Sequence, residues 1–239
     1  MIVSVLFFSS LLGGLSVFFV KRDNSKLLKL LLAFSGSYLF AITILHLIPD
    51  VYHTNDESIG LFILGGFLFQ LLLEQFSEGV EHGHLHQDSS HQDGGSHAFP
   101  ISVMLSLCLH AFLEGMPLAG DHENHLLFGI SLHHIPAAFA LASLLMTSHF
   151  NARHIVFSLI IFSLMSPLGY MFSYGIKVNE LGDINQYFDR IMAIVIGIFL
   201  HISTTILFES SNKDHQYNRK KLLAVLLGVL VSLANFLFH

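Results

Sequence analysis

Two short motifs place histidine and carboxylate side chains where they could bind a metal ion. His110 and Glu114 are four residues apart, so a helix would present both on one face. His133 and His134 are adjacent, and Pro136 follows them in the same apolar segment. Imidazole nitrogens combined with a carboxylate oxygen favour Zn²⁺ or its late neighbours in the first transition series over Mg²⁺ or Ca²⁺.

A third pair with the same spacing, His46 and Asp50, lies earlier in the chain. If the three segments pack together, they supply up to five nitrogen or oxygen ligands, and four are enough for a tetrahedral zinc site. The candidate metal ligands are His46, His110, Glu114, His133 and His134. Asp50 is expected at the entrance of the site, and a helix-end carboxylate in water is an equally weighted alternative.

The composition indicates that the elements positioning these residues lie in a bilayer. The chain of 239 residues is 53% hydrophobic and 12% charged, whereas a soluble domain carries roughly twice that charged share. Apolar runs of about 20 residues are long enough to span a membrane. Eight such runs are predicted as transmembrane helices, at residues 2–20, 27–48, 59–76, 99–119, 126–146, 155–174, 191–208 and 222–238.

Histidine is unusually abundant for so apolar a chain, with 17 His against 11 Lys and Arg. With 17 Asp and Glu the formal net charge is −6, so the chain offers phosphate no basic face and a nucleic-acid partner is excluded. Ionisable groups inside a membrane helix are costly and normally serve a function. The candidate ligands account for all the intramembrane histidines except His201, for which a simple interhelical hydrogen bond is the alternative to an accessory role. Glu209, directly after the seventh run, is grouped with it as an entrance or accessory residue.

The positive charges predict the orientation, because Lys and Arg are retained on the cytoplasmic side. Most of them fall in or beside the connections after the first, fifth and seventh runs: Lys21, Arg22, Lys26, Lys29, Arg153, Lys213, Arg219, Lys220 and Lys221. Both termini are therefore expected outside, in a plasma (inner) membrane.

The longest break between apolar runs, residues 79–98, is rich in Gly, Ser, Asp and His and is expected to be a flexible cytoplasmic loop. It contains His82, His84, His86, His91 and His97. Imidazoles spaced in this way could buffer metal weakly, and a solvated linker is an equally weighted alternative.

Prolines within two of the runs predict distorted helices beside the candidate ligands. Pro117 and Pro136 lack an N–H and leave a helical carbonyl without its bond. Freed backbone oxygens at membrane depth suit a water-filled cavity or an ion path.

These motifs, in their order along the chain, resemble those of the ZIP family of divalent metal transporters over nearly the whole length. The family pattern His-Asn-x-x-Glu-Gly in helix 4 is matched at His110, Glu114 and Gly115. The pattern His-(Asn/Asp/Glu)-x-Pro-Glu-Gly in helix 5 is matched at His133 and Pro136. The His-Leu-x-Pro-Asp pattern of helix 2 is also present, beginning at residue 46.

The resemblance implies an all-α integral membrane protein of eight transmembrane helices. It implies a 3+2+3 arrangement with an inverted repeat around helices 4 and 5, and a single transmembrane domain over residues 1–239. Family helices 4 and 5 can build two adjacent metal sites, and this chain has Ala111, Ala137 and Ser166 at positions that usually contribute to the second. The expectation is therefore a single, histidine-rich site.

The resemblance also implies passage of Zn²⁺, or of Fe²⁺, Mn²⁺ or Cd²⁺, from outside into the cytoplasm, with the metal as substrate, no cofactor and no enzymatic activity. The implied partners are divalent ions and the lipid bilayer, and both a monomer and a homodimer are compatible with the resemblance. Three alternatives remain from the residues alone: a membrane-embedded zinc hydrolase with Glu114 as general base, a metal sensor without transport, and a haem held by two histidines.

Overall fold

The structure is a computed structural model that describes residues 1–19, 25–53, 56–77, 100–120, 123–178, 184–208 and 215–237. All regular structure within these ranges is helical. The long helices are α1 (Ile2–Leu15), α2 (Ser25–Ile42), α3 (Ile59–Ser77), α4 (Ile101–Gly115), α5 (Glu123–Thr147), α6 (Ala152–Val178), α7 (Ile184–Phe208) and α8 (His215–Leu237). The prediction of eight helices in an all-α membrane protein is confirmed.

Six of these helices, with their extensions, are long and apolar enough to cross a membrane, and the shorter apolar helix Ile2–Phe18 precedes them. Several helices extend beyond the predicted apolar runs by a turn or more. For example, α7 begins seven residues before residue 191, where the predicted run starts. The reason is that the hydropathy pattern marks the bilayer thickness, whereas helical hydrogen bonds continue into the polar segments on either side. Along α8 the leucines point outward, as at Leu223 and Leu230, which are 59% and 56% exposed. A soluble protein would cover such a face.

Helix α2 does not end at its predicted boundary. A π-helical turn, Thr43–Leu47, follows Ile42, and an α-helical segment, Ile48–Tyr52, continues from it. Pro49 explains the wide turn, because it has no N–H to donate to the carbonyl one turn back and its ring would clash there. His46 lies within this turn.

The prolines beside the other two motifs have different outcomes. Pro136 is accommodated inside the continuous helix α5. Pro117 coincides with a change of helix type, because α4 ends at Gly115 and a single 3₁₀ turn, Met116–Ala119, completes the predicted run. The tighter turn places Pro117 at its first residues, where a missing N–H has no cost.

Packing divides the helices into two groups of four. Helices α1, α4, α5 and α6 form one, with close pairs α1–α5, α4–α6 and α1–α6, and are called here the ligand bundle. Helices α2, α3, α7 and α8 form the other, with close pairs α3–α7, α2–α8 and α2–α7, and are called the outer bundle. The pairs α2–α5, α3–α4 and α6–α7 join the two bundles.

The strongest contacts within the two bundles have the symmetry of a 3+2+3 arrangement. Consider an exchange of the helices α1, α2 and α3 with α6, α7 and α8, respectively, and of α4 with α5. This exchange converts the pair α1–α5 into the pair α6–α4. The same exchange converts α2–α8 into α7–α3. The strongest contacts of each bundle therefore map onto each other about the central helices α4 and α5, as an internal repeat requires.

Glycines allow the closest helix pairs to meet backbone to backbone. In the ligand bundle, a Cβ atom on Gly115 would overlap the carbonyl group of Ser166 on α6. In the outer bundle, a Cβ atom on Gly66 would overlap the carbonyl group of Ile194 on α7. Small residues at such crossings are typical of membrane helices, where close packing replaces the hydrophobic effect. The neighbouring Gly65 has nothing within 4 Å of its Cβ position, so only one glycine of the Gly-Gly pair serves packing.

Candidate metal centre

Three of the candidate ligands meet in the interior of the protein. His110 and Glu114 come from successive turns of α4, and His133 comes from α5. One ligand atom of each lies within 4.8 Å of the other two, and all three side chains are buried. The helices α4 and α5 touch only narrowly, so this polar group fills the space between them.

His134 joins the same cluster through the carboxylate. Its Nε2 atom lies 2.6 Å from Oε2 of Glu114, while Nε2 of His110 lies 3.4 Å from the same oxygen. The ring of His134 also packs against Phe162 of α6, with ring centres 5.9 Å apart. Because residues 133 and 134 are about 100° apart around the helix, His134 approaches Glu114 from the α6 side while His133 faces His110.

Several polar atoms of this cluster have no hydrogen-bond partner among the described residues. They are both ring nitrogens of His133 and Oε1 of Glu114. The side chains are fully buried, with 0% exposure for each. Buried polar groups are nearly always satisfied, because leaving one unpaired costs roughly 1–3 kcal/mol. Atoms of these types around a common point have the donor character of a site for a late first-row cation.

The positions expected to serve a second metal site offer few ligands. Ala111 and Ala137 are buried, at 0% and 1% exposure, and contribute only methyl groups. Ser166 is equally buried, and its hydroxyl has no hydrogen-bond partner in the described part of the chain. Its carbonyl faces Gly115, the residue that follows Glu114 on α4. This side of the cluster therefore has a neutral hydroxyl where a second cation would need carboxylates.

Two predicted residues, in the extension of α2, are not part of the group of ligand atoms that lie within 4.8 Å of one another. His46 is half-buried in the π-helical turn, and its ring meets that of Phe236 of α8 edge-on, at 5.4 Å between centres. Asp50 is exposed, one turn further on. The group of ligand atoms within 4.8 Å does not include His46.

His201 forms a separate pair in the outer bundle. Its Nε2 atom lies 2.6 Å from Oε2 of Glu74 on α3, and Phe67 stacks edge-on to its ring. The second ring nitrogen of His201, Nδ1, is buried and without a hydrogen-bond partner in the ranges described above. Glu209 and the five histidines between residues 82 and 97 lie outside the described residues.

Two polar residues of α3 were not identified from the sequence. Gln70 is fully buried, with Oε1 at 3.4 Å from Nδ1 of His110, and Glu74 is the partner of His201. Both stand in the third apolar run, where their spacing of four residues places them on one helix face. That spacing is the signal that could have identified them, because a polar face on a membrane helix points into the protein.

A charged contact ties the α2–α3 connection to the beginning of α7. The hydroxyl and the backbone N–H of Ser58 donate to Oδ1 of Asp56 at 2.6 and 2.9 Å. Nε of Arg190 donates to Oδ2 at 3.0 Å. These hydrogen bonds, those from Ser58 above all, lower the pKa of Asp56 from 3.8 to about 2. Arg190 also lies over the ring of Phe62.

The sequence of the chain is similar to those of known proteins. The model of the family described as ZIP Zinc transporter matches residues 1–99 and 77–235. Zinc transporter ZIP9-B of Xenopus laevis is 27% identical over 217 residues, covering 80% of this chain and 70% of the relative. Zinc transporter ZIP9 of Xenopus tropicalis is 26% identical, with 78% and 69% covered. Zinc transporter ZIP1 of Homo sapiens is 25% identical, with 76% and 69% covered. With a family match that extends over almost the entire sequence, the chain belongs to the ZIP family of metal transporters.

Proposed function

We propose that the chain carries Zn²⁺ across the membrane through one site in which His110, Glu114 and His133 are ligands. The observation that carries the proposal is the buried group of their donor atoms, in which His133 and Glu114 present atoms without hydrogen-bond partners among the described residues. Membership of the family supports divalent metal transport, and the relatives bear the name zinc transporter. His134, bonded to Glu114, is the fourth ligand or the residue that orients the carboxylate.

The proposed direction is from outside into the cytoplasm. The support is the distribution of Lys and Arg, which the chain concentrates at one set of helix ends. With that side cytoplasmic, both termini lie outside and the histidine-rich segment 79–98 faces the cytoplasm, where its imidazoles would receive arriving ions. His201 and Glu209 then belong to the cytoplasmic half of the protein, as accessory residues, and the membrane is the plasma membrane.

The proposed stoichiometry is one ion in the membrane region. One dication beside the single carboxylate of Glu114 leaves one net positive charge in the site. Two dications a few ångström apart would repel strongly in so dry an environment unless further carboxylates separated them. The buried neighbours Ala111, Ala137 and Ser166 carry no charge, and this is the support for a single ion.

Purified protein in liposomes that contain a zinc-sensitive dye tests the site. We expect His110→Ala, Glu114→Ala and His133→Ala each to abolish Zn²⁺ uptake, because each removes a ligand that no neighbour can replace. His154→Ala is the matched control, since His154 is exposed at the beginning of α6 and should leave uptake unchanged. Near-normal uptake by any of the three site variants would contradict the ligand assignment.

The same preparation tests the stoichiometry and the choice between transport and binding. A variant lacking residues 81–97 removes the loop histidines, so that metal bound per chain reports on the membrane region. One tightly bound zinc per chain is expected, and two would refute the single-site proposal. Zinc bound by His46→Ala in the same series decides whether His46 contributes a ligand to the membrane site. Saturable binding without dye response would identify a sensor instead of a transporter.

A further inference from the structure

Gln70 is an amide in a place where few polar side chains are found. It lies on α3 among apolar residues, such as Leu68 and Leu72, that are 50% and 58% exposed to the surroundings. Gln70 itself is 0% exposed, so the helix turns this amide inward. Its Oε1 atom faces Nδ1 of His110 at 3.4 Å. A buried amide is retained only where it is hydrogen-bonded, and here a partner is a candidate metal ligand.

The contact determines which nitrogen of His110 is available to a metal ion. An amide oxygen accepts hydrogen bonds and cannot donate them, so Nδ1 of His110 carries the hydrogen in this contact. The neutral ring then has its lone pair on Nε2. Nε2 is the atom that lies 3.4 Å from the Glu114 carboxylate, on the side of the proposed site. A hydrogen bond to the second nitrogen of a metal-binding histidine fixes both its tautomer and its orientation.

We propose that Gln70 is a positioning residue that prepares His110 to bind zinc, and that it does so from the opposite bundle. The inference rests on the proposed function and extends it. Gln70 belongs to the outer bundle through α3, whereas His110 belongs to the ligand bundle through α4. The contact therefore exists only while the two bundles keep their present register. A shift of α4 by one turn along α3, about 5.4 Å, separates the two side chains.

A second hydrogen bond on the same α3–α4 boundary provides a matched control. The hydroxyl of Ser106, one turn before His110, donates to the carbonyl oxygen of Leu73 at 2.8 Å. Like the Gln70 contact it joins the two bundles, but it touches no candidate ligand. Ser106→Ala thus weakens the boundary without altering the tautomer of His110.

The test measures zinc affinity of the purified protein by competition with a chelating dye, and KM and maximal rate of uptake in liposomes. Gln70→Met keeps the volume and removes the acceptor, and we expect zinc affinity to fall about 10- to 100-fold, the range for loss of such an outer hydrogen bond. Gln70→Glu keeps an acceptor at the same position, and its affinity should equal or exceed that of the natural protein. Ser106→Ala should leave the affinity within about twofold.

The outcomes separate this inference from the proposed function. If His110→Ala lowers affinity and Gln70→Met does not, the positioning role is wrong while the site stands. If His110→Ala itself binds zinc normally, the proposed site is wrong. Equal losses for Gln70→Met and Ser106→Ala would mean that the boundary matters and the tautomer does not, which also overturns the inference. If Gln70→Met fails to fold, Gln70→Glu provides the test instead. A zinc affinity of Gln70→Glu below that of the natural protein would refute the positioning role of Gln70.

Discussion

The crossing of α4 and α6 at Gly115 predicts a large effect from a single methyl group. Gly115 has φ −72° and ψ −24°, which alanine adopts readily, so Gly115→Ala introduces no backbone strain. The added Cβ atom overlaps the carbonyl group of Ser166, and a backbone atom cannot move aside as a side chain can. Gly65→Ala is the matched control, because its Cβ atom would meet nothing within 4 Å.

The magnitude follows from comparing the two variants. Alanine is favoured over glycine in a helix by about 1 kcal/mol, and this gain applies to both substitutions and largely cancels. Overpacking typically costs about 1–3 kcal/mol, and this cost applies to Gly115→Ala alone. For a protein of this length each kcal/mol changes the melting temperature by about 2–4 °C. We therefore expect Gly115→Ala to melt roughly 2–12 °C below Gly65→Ala.

Thermal unfolding of both variants in the same detergent measures this difference, and uptake in liposomes measures its effect on the site. Because α4 must move away from α6, the adjacent Glu114 is displaced from His133, and Zn²⁺ uptake should fall in Gly115→Ala and persist in Gly65→Ala. Equal melting temperatures for the two variants would refute the reasoning, since the backbone contact would then carry no packing cost.

Two further predictions concern contacts outside the metal centre. His201→Ala removes the 2.6 Å bond to Glu74 and should destabilise the protein by about 1–3 kcal/mol. His201→Gln retains a hydrogen-bond donor and should be more stable than His201→Ala. If Zn²⁺ uptake is also higher in His201→Gln than in His201→Ala, the hydrogen bond and not metal binding by the imidazole is what uptake requires, which would contradict an accessory metal-binding role. The pKa of Asp56 is lowered to about 2, so its contacts with Ser58 and Arg190 stabilise the protein above pH 4 and are lost as pH falls towards 2. The difference in melting temperature between the natural protein and Asp56→Asn should shrink over that interval, and a constant difference would exclude this contribution.

The membrane fold could be predicted from the sequence because long apolar runs leave a helix few alternatives in a bilayer. The beginning of α7 and the π-helical turn at His46 could not be predicted. The polar first turns of α7 carry no hydropathy signal, and the response of α2 to Pro49 depends on what packs against it.

The centre of the site was predictable in part, because the spacing of His110 and Glu114 fixes their common face. The partner of Glu114 was not predictable. Adjacent histidines at 133 and 134 cannot both face the same way, and only the packing of α5 against α4 and α6 assigns His134 to the carboxylate. The spacing of Gln70 and Glu74 marks an inward face of α3, but an amide in a membrane helix gives no metal-binding pattern until its neighbour is known.

The glycine contacts inside the two bundles have a mechanical consequence. Where Gly115 meets α6 and Gly66 meets α7, backbone lies on backbone, and no side chain between them can change rotamer to accommodate shear. The boundary between the bundles is held instead by side-chain bonds such as the one between Gln70 and His110, which can break and reform singly. We therefore expect deformation of the protein at that boundary, with each bundle moving as a stiff body. An ion bound between α4 and α5 would keep its ligands in any such displacement, while the residues of α3 beside it are exchanged.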